Sequence, residues 1–379
     1  MNRNRGLDMA RGFAIVTMIL INLSAVALAN PTPTAIRILG SLAAPLFVML
    51  SGLMVALTAE KHGLRYFLLN RGAWIIAVAA FIDIAIWQVY PCMSMGVLYL
   101  IGISIPLTYL ATKLRRWQRA TITGAILVLT PVLQSVFGYA DFPSEYYILN
   151  RAPVFDVQEQ TGIINHWLID GWFPVFPWVA FSLIGSEIGI FLKHAGSRRL
   201  IKMLLSTGTV LAVLGILSFI FVSPTTFQRG TWSELFYPPT IQFFLATTGT
   251  SFLALGLFLR LAEVRGSFLF RPLELTGRAS LGIYFAHLFA IAYIVTTLSE
   301  GWWKLSEGWY ISTCLLLLVA MWGVARLYFL FSERARKWIG VGIRVFVAFV
   351  ILAFIIAASA GFFPLIQGQL KLLAWPALQ

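Results

Sequence analysis

The chain has 379 residues, of which 59% are hydrophobic and 11% charged, and its formal charge is +13. A soluble domain carries about 25% charged residues, so this chain has too little polar surface to cover a core in water, and a bilayer is its expected solvent. The excess of Lys and Arg comes without any motif for base or phosphate-backbone reading, which excludes nucleic acid as a partner, and the two cysteines, Cys92 and Cys314, make neither a disulfide framework nor a metal site.

A membrane span needs about 20 mainly apolar residues. Taken in chain order, the apolar runs predict spans at 10–30, 36–58, 72–90, 95–112, 120–138, 172–192, 200–222, 238–259, 279–298, 308–330 and 340–362. The expected fold is therefore all-α: a polytopic integral membrane helical bundle of about eleven transmembrane helices, forming a single domain over 1–379. With the N-terminus in the cytosol, every Lys and Arg of the 28 falls on the cytosolic side except Arg37, Arg151, Arg229, Lys304 and Lys371. Flipping the chain would reverse that bias at every loop, so a cytosolic N-terminus and an outside C-terminus are expected, in a bacterial inner membrane. The first span with its Ala27-Leu28-Ala29 resembles a signal peptide. Its length and its polar residues point instead to a retained helix.

Charges and polar groups inside a bilayer cost several kcal/mol unless paired or hydrated, and so mark functional candidates. Asp8 and Arg11 share a face at the cytosolic entry of the first span, where they can pair with each other or reach an anionic ligand. Asn22 lies nearly on the same face, ~16 Å deeper. This polar stripe suits a lined cavity or plain helix–helix hydrogen bonding. Arg37, basic on the far side, anchors to headgroups or faces an acid such as Asp83 in the third span. The long outer loop holds Asp141, Glu145, Asp156, Glu159 and Asp170 with Tyr146, Tyr147 and His166; it is either a solvated connector or a lid for a substrate outside the cytosol. Glu187 lies in the sixth span as a lone carboxyl, within GSEIG. His287 is the one histidine well inside a span, and imidazole can take and give a proton near neutral pH. No GxxxxGK[ST], HExxH, G-x-S-x-G or Cys/His metal spacing occurs, so neither metal nor nucleotide hydrolysis is expected.

Five stretches recur in an order that resembles a known family: LDMARGFAIVTMILIN (Leu7–Asn22), RILGSLAAPLFVMLSG (Arg37–Gly52), MGVLYLIGISI (Met95–Ile105), GWFPVFPWVAFSLIG (Gly171–Gly185) and LTGRASLGIYFAHLF (Leu275–Phe289). The chain is similar to the transmembrane acyltransferase superfamily, in its heparan-α-glucosaminide N-acetyltransferase-like bacterial branch, most clearly over residues 5–290. The resemblance implies transfer of an acyl group from cytosolic acetyl-CoA, or another acyl-CoA, to a sugar hydroxyl or amine. It also implies roles for matching residues: Asp8 and Arg11 match the first-span motif, Asn22 stands where relatives carry His or Asn, and His287 matches a late-motif histidine. Two departures stand out. The first outer loop, ANPTPTAIR, lacks the family's catalytic histidine, and Ser41 replaces its Asp.

For such an enzyme the candidate catalytic residues are His287, Asn22, Asp8, Asp83 and His166. Arg11, Arg71 and Arg278 are candidates for CoA phosphates, with Arg115 and Arg116 available beside them. Arg37, Trp172 and Trp178 would line the acceptor path, since aromatics stack on sugar rings. Expected partners are membrane lipids, a glycan or small-molecule acceptor, and a second copy of the chain in a homodimer. Two other classes fit the composition: a proton-coupled transporter or exporter of small polar metabolites, with Asp83, Glu187 and His287 as its relay, and a non-catalytic membrane subunit. No inverted repeat favours transport.

Overall fold

The computed structural model describes residues 4–28, 33–93, 95–139, 145–149, 162–221, 240–264, 267–299 and 305–360. Of the outer-loop acids, Asp141, Asp156 and Glu159 lie outside these residues, as do Arg151, Arg229, Lys304 and Lys371. The described residues are helical, with two isolated β-bridges and no strands.

Among the described residues, eleven helices of eight or more residues carry the fold. They are α1 (Arg5–Ala27), α2 (Thr34–Thr58), α3 (Tyr66–Trp87), α4 (Val97–Ala111), α5 (Arg116–Phe137), α6 (Val175–Phe221), α7 (Ile241–Glu263), α8 (Arg271–Arg278), α9 (Ser280–Leu298), α10 (Glu307–Leu330) and α11 (Glu333–Ser359). Among the described residues nine of these are long and apolar enough to cross a membrane. α4, with 15 residues, rises only about 22 Å against a hydrocarbon core of about 30 Å. α6, with 47 residues, would rise about 70 Å if straight. It is not straight: Gly196 sits at φ +77°, a left-handed conformation that an α-helix cannot pass through unbroken.

Helix starts follow from local chemistry. The Asn4 side chain accepts from the amides of Gly6 and Leu7 at 3.0 and 3.3 Å, ahead of α1. Thr240 caps α7 through the Phe243 amide at 3.2 Å, and Ser332 caps α11 through that of Ala335 at 3.2 Å. Each satisfies one or two of the amides a helix start leaves unpaired. The lipid-facing character is equally direct. In α11 only 6% of the most apolar window is buried, and Val128, Leu316 and Phe349 stand more than half exposed. Water would not tolerate that much uncovered apolar surface.

The described helices fall into two compact units. The first draws on Met1–Leu50, Phe191–Pro224 and Thr240–Lys337, the second on Ser51–Ile190 and Trp338–Gln379. The first unit is organised on α1. A Cβ added at Gly12 would lie 1.9 Å from the Leu273 carbonyl oxygen, and one at Gly277 1.8 Å from that of Asp8. α1 and α8 thus touch backbone to backbone, as small residues allow in membranes. The second half of α6 meets α7 in the same way, at Gly208–Gly249 and Gly215–Ala246. In the second unit Gly52 of α2 packs on the Ser182 carbonyl of α6, and Gly72 of α3 on that of Gly102 in α4.

Candidate functional site

Within the first unit, α1 and α9 bring two of the sequence candidates into contact. Asn22 Nδ2 lies 3.0 Å from His287 Nε2, and His287 Nδ1 lies 2.9 Å from the Ile283 carbonyl oxygen. A carbonyl only accepts, so Nδ1 carries the hydrogen. In the neutral ring Nε2 then holds the lone pair to which the Asn22 amide donates. His287 is wholly buried, and the Tyr284 ring meets it edge-on with centroids 5.4 Å apart. It stands at the end of regular α-helix, just before a π-helical turn at Ala290–Val295; such turns often accompany functional positions. α10 and the residues just before it fix the C-terminal part of α1 alongside: the Tyr310 hydroxyl donates to the Leu20 carbonyl at 2.9 Å, and the Leu305 amide to the Ala27 carbonyl at 2.8 Å.

At the other end of α1, Asp8 is buried and accepts from Arg11 Nη1 at 3.2 Å. Arg5 Nε reaches Glu274 Oε2 of α8 at 3.0 Å. Arg278 closes α8, exposed, with its guanidinium 4.3 Å from the Phe329 ring centroid, a cation–π contact. Arg37 is half-buried on α2, where its carbonyl accepts the Ser41 hydroxyl at 2.7 Å. The serine that replaces the family's Asp therefore bonds its own helix.

The second unit holds the remaining candidates. Arg71 is exposed on a π-helical stretch, Tyr66–Ala73. Asp83 accepts the Tyr99 hydroxyl at 2.5 Å, and that hydroxyl in turn accepts the Cys92 amide at 3.0 Å. Burial pushes the Cys92 thiol up from its ordinary value, the opposite of what an acyl-carrying thiolate requires. Cys92 belongs to a connection in which Gln88, Cys92 and Met95 all have positive φ (55°, 66° and 56°), uncommon for residues with a side chain. The fold holds that connection from several sides. Trp167 Nε1 donates to the Cys92 carbonyl at 2.6 Å. The amides of Tyr90 and Ile148 pair it with the 145–149 segment, and the Phe173 amide donates to Met95 at 2.9 Å.

Beside it, His166 and Asp170 are both buried, with His166 Nδ1 2.8 Å from Asp170 Oδ1. Asn165 Nδ2 donates to the other carboxylate oxygen at 3.0 Å. Trp172 Nε1 donates to Glu145 at 2.8 Å. Trp178 is fully buried, packed between the rings of Phe173 and Phe181. Glu187 is not the lone carboxyl that its sequence position implied. Arg119, in the first turn of α5, grips both its oxygens through Nε and Nη2, and the pair ties α5 to α6.

Sequence reading missed Tyr99, Trp167 and Asn165 as partners. The 166/170 spacing was a legible helical neighbour pair, whereas Tyr99 meets Asp83 only through the packing of α3 on α4. Among the described residues, no group of three or more His, Cys, Asp or Glu side chains is placed to hold a metal.

These features define an integral multi-pass membrane protein whose apolar helices bury a small number of paired polar groups. The family model for heparan-alpha-glucosaminide N-acetyltransferase, catalytic, matches residues 3–222. That is more than half of the 379 residues, and the chain belongs to this membrane acyltransferase family. No curated protein matches it. The matched stretch contains Asp8, Arg11, Asn22, Arg37, Arg71, Asp83, His166, Trp172 and Trp178; Arg278 and His287 lie beyond it.

Proposed function

We propose that the chain is a single transmembrane acyltransferase domain of a bacterial inner membrane. It moves an acetyl or other acyl group from cytosolic acyl-CoA to a hydroxyl or amine of a glycan, lipid or small acceptor. In this reading α6 supplies two spans and α4 one, giving eleven with a cytosolic N-terminus. The family membership carries the reaction class, and the Asn22–His287 pair is the observation that carries the site.

His287 Nε2 takes the acceptor's proton as the acceptor oxygen or nitrogen bonds to the thioester carbon. The C–S bond breaks, and the proton passes to the departing CoA sulfur. Asn22, released from Nε2 as the acceptor arrives, turns its amide toward the developing oxyanion. Arg11, Arg71 and Arg278 are the cations for CoA phosphates. Arg37, Trp172 and Trp178 serve the acceptor side.

One observation favours a second location for the base. The Asp170 carboxylate accepts from His166 Nδ1–H and so places the ring's lone pair on Nε2; His166 would then replace the histidine missing from the first outer loop. The test is binding of acetyl-CoA to the detergent-purified protein by calorimetry, followed by acceptor-dependent release of free CoA thiol. A folded protein that binds no acyl-CoA overturns the proposal. Release that survives His287→Ala but not His166→Ala moves the base to His166.

A further inference from the structure

The turn joining α10 to α11 gathers cations that form no ion pair among the described residues. An open groove of about 350 Å³ there is lined by Tyr328, Glu333, Arg336 and Lys337. Arg336 is held in place: its Nη1 donates to the carbonyls of Phe331 at 3.0 Å and Phe329 at 3.3 Å, capping the C-terminal end of α10. Its guanidinium lies 5.5 Å from the Phe329 ring centroid, and that of Arg278 lies 4.3 Å from the same ring. One aromatic ring therefore holds two like charges near each other. Among the described residues Arg278, Arg336 and Lys337 form no ion pair with a carboxylate, although Glu333 lines the same groove. Leu327, Leu330 and Phe331 flank the groove with their side chains more than half exposed.

A fixed guanidinium, an exposed ammonium and a phenol hydroxyl match the oxygens of a phosphate ester. The exposed apolar side chains beside them match acyl chains. A soluble phosphate would use the first set and have no need of the second.

We propose that the α10–α11 turn binds the phosphate headgroup of an acidic phospholipid, with its acyl chains against Leu327, Leu330 and Phe331. Basic pockets at the cytosolic edge of helix bundles hold such headgroups, each cation being worth about fivefold in affinity near the surface. Arg278, beside this groove, is also one of the cations proposed for CoA phosphates, and the CoA titration below separates the two uses.

The experiment reconstitutes the full chain in nanodiscs of phosphatidylcholine and titrates phosphatidylglycerol, reading retained lipid by native mass spectrometry. CoA is titrated in parallel. The expected result is selective retention of phosphatidylglycerol, reduced about fivefold in Lys337→Gln and further in Lys337→Glu. Lys337 is exposed and caps nothing, so these variants should keep the wild-type melting temperature. Tyr328→Phe, which removes only the phenol oxygen, should weaken retention to a smaller degree. Equal retention of phosphatidylcholine, or unchanged retention by Lys337→Glu, overturns the proposal. Displacement of phosphatidylglycerol by CoA would also overturn it, assigning the groove to the nucleotide end of the acyl donor.

Discussion

At the scale of single residues, the arrangement around His287 makes a sharp demand. Its Nδ1 is committed to the Ile283 carbonyl, so any proton it exchanges must pass through Nε2, the atom that faces Asn22. His287→Ala should lower acyl transfer by about 10²–10⁴-fold, the usual worth of a positioned acid–base group, with acetyl-CoA affinity unchanged. Steady-state kinetics with calorimetry checks both halves. Asn22→Ala should lower kcat while leaving His287 in place; an unaltered kcat would make Asn22 a packing residue. The Asp8–Arg11 pair behaves differently, because Asp8 is buried. Arg11→Ala removes the arginine from that buried carboxylate and should lower the melting temperature as well as acyl-CoA affinity. The double variant Asp8→Asn/Arg11→Gln removes both charges and should recover most of the stability. If acyl-CoA affinity recovers with it, Arg11 does not hold CoA phosphates.

Between elements, backbone contact through glycine sets the spacing of the helices. A methyl at Gly12 or Gly277 has no room, since each would sit within 2 Å of a carbonyl oxygen on the facing helix. Gly12→Ala should push α1 from α8 and destabilise by about 1–3 kcal/mol, as overpacking does. Gly124 on α5 has nothing within 4 Å of its would-be Cβ, so Gly124→Ala should be neutral or gain up to about 1 kcal/mol. Thermal unfolding of the two variants in one detergent makes the comparison, and a Gly12→Ala protein as stable as Gly124→Ala would show that the α1–α8 contact is not tight. The Arg119–Glu187 pair belongs to this scale too. It links α5 to α6, and Glu187→Gln should destabilise without touching the chemistry of His287.

For the molecule as a whole, the distribution of Lys and Arg predicts topology. Reporter fusions that fluoresce only in the cytosol should light up when placed after Arg116 or Arg199, and stay dark after Tyr147. The reverse pattern would invert the chain and place the polar stripe of α1 at the opposite face. A fusion at Gly196 should also be cytosolic, because Lys193, Arg198, Arg199 and Lys202 cluster around it.

The apolar runs needed no folding to be read, because a bilayer leaves a chain few solutions: its backbone must be paired within helices and its charges kept at the edges. Asp8, Arg11, Asn22 and His287 were legible for the same reason, each being a polar group where lipid tolerates few. The partners of those groups were not. Asn22 and His287 are 265 positions apart, Asp83 meets a tyrosine from the next helix, and the carboxyl of Glu187 turned out to be held by an arginine that had looked like an orientation signal. Periodicity gives the face a residue occupies on its own helix. Which helix lies across from that face depends on side-chain volume and glycine spacing summed over the whole packing, and only the tertiary structure decides it.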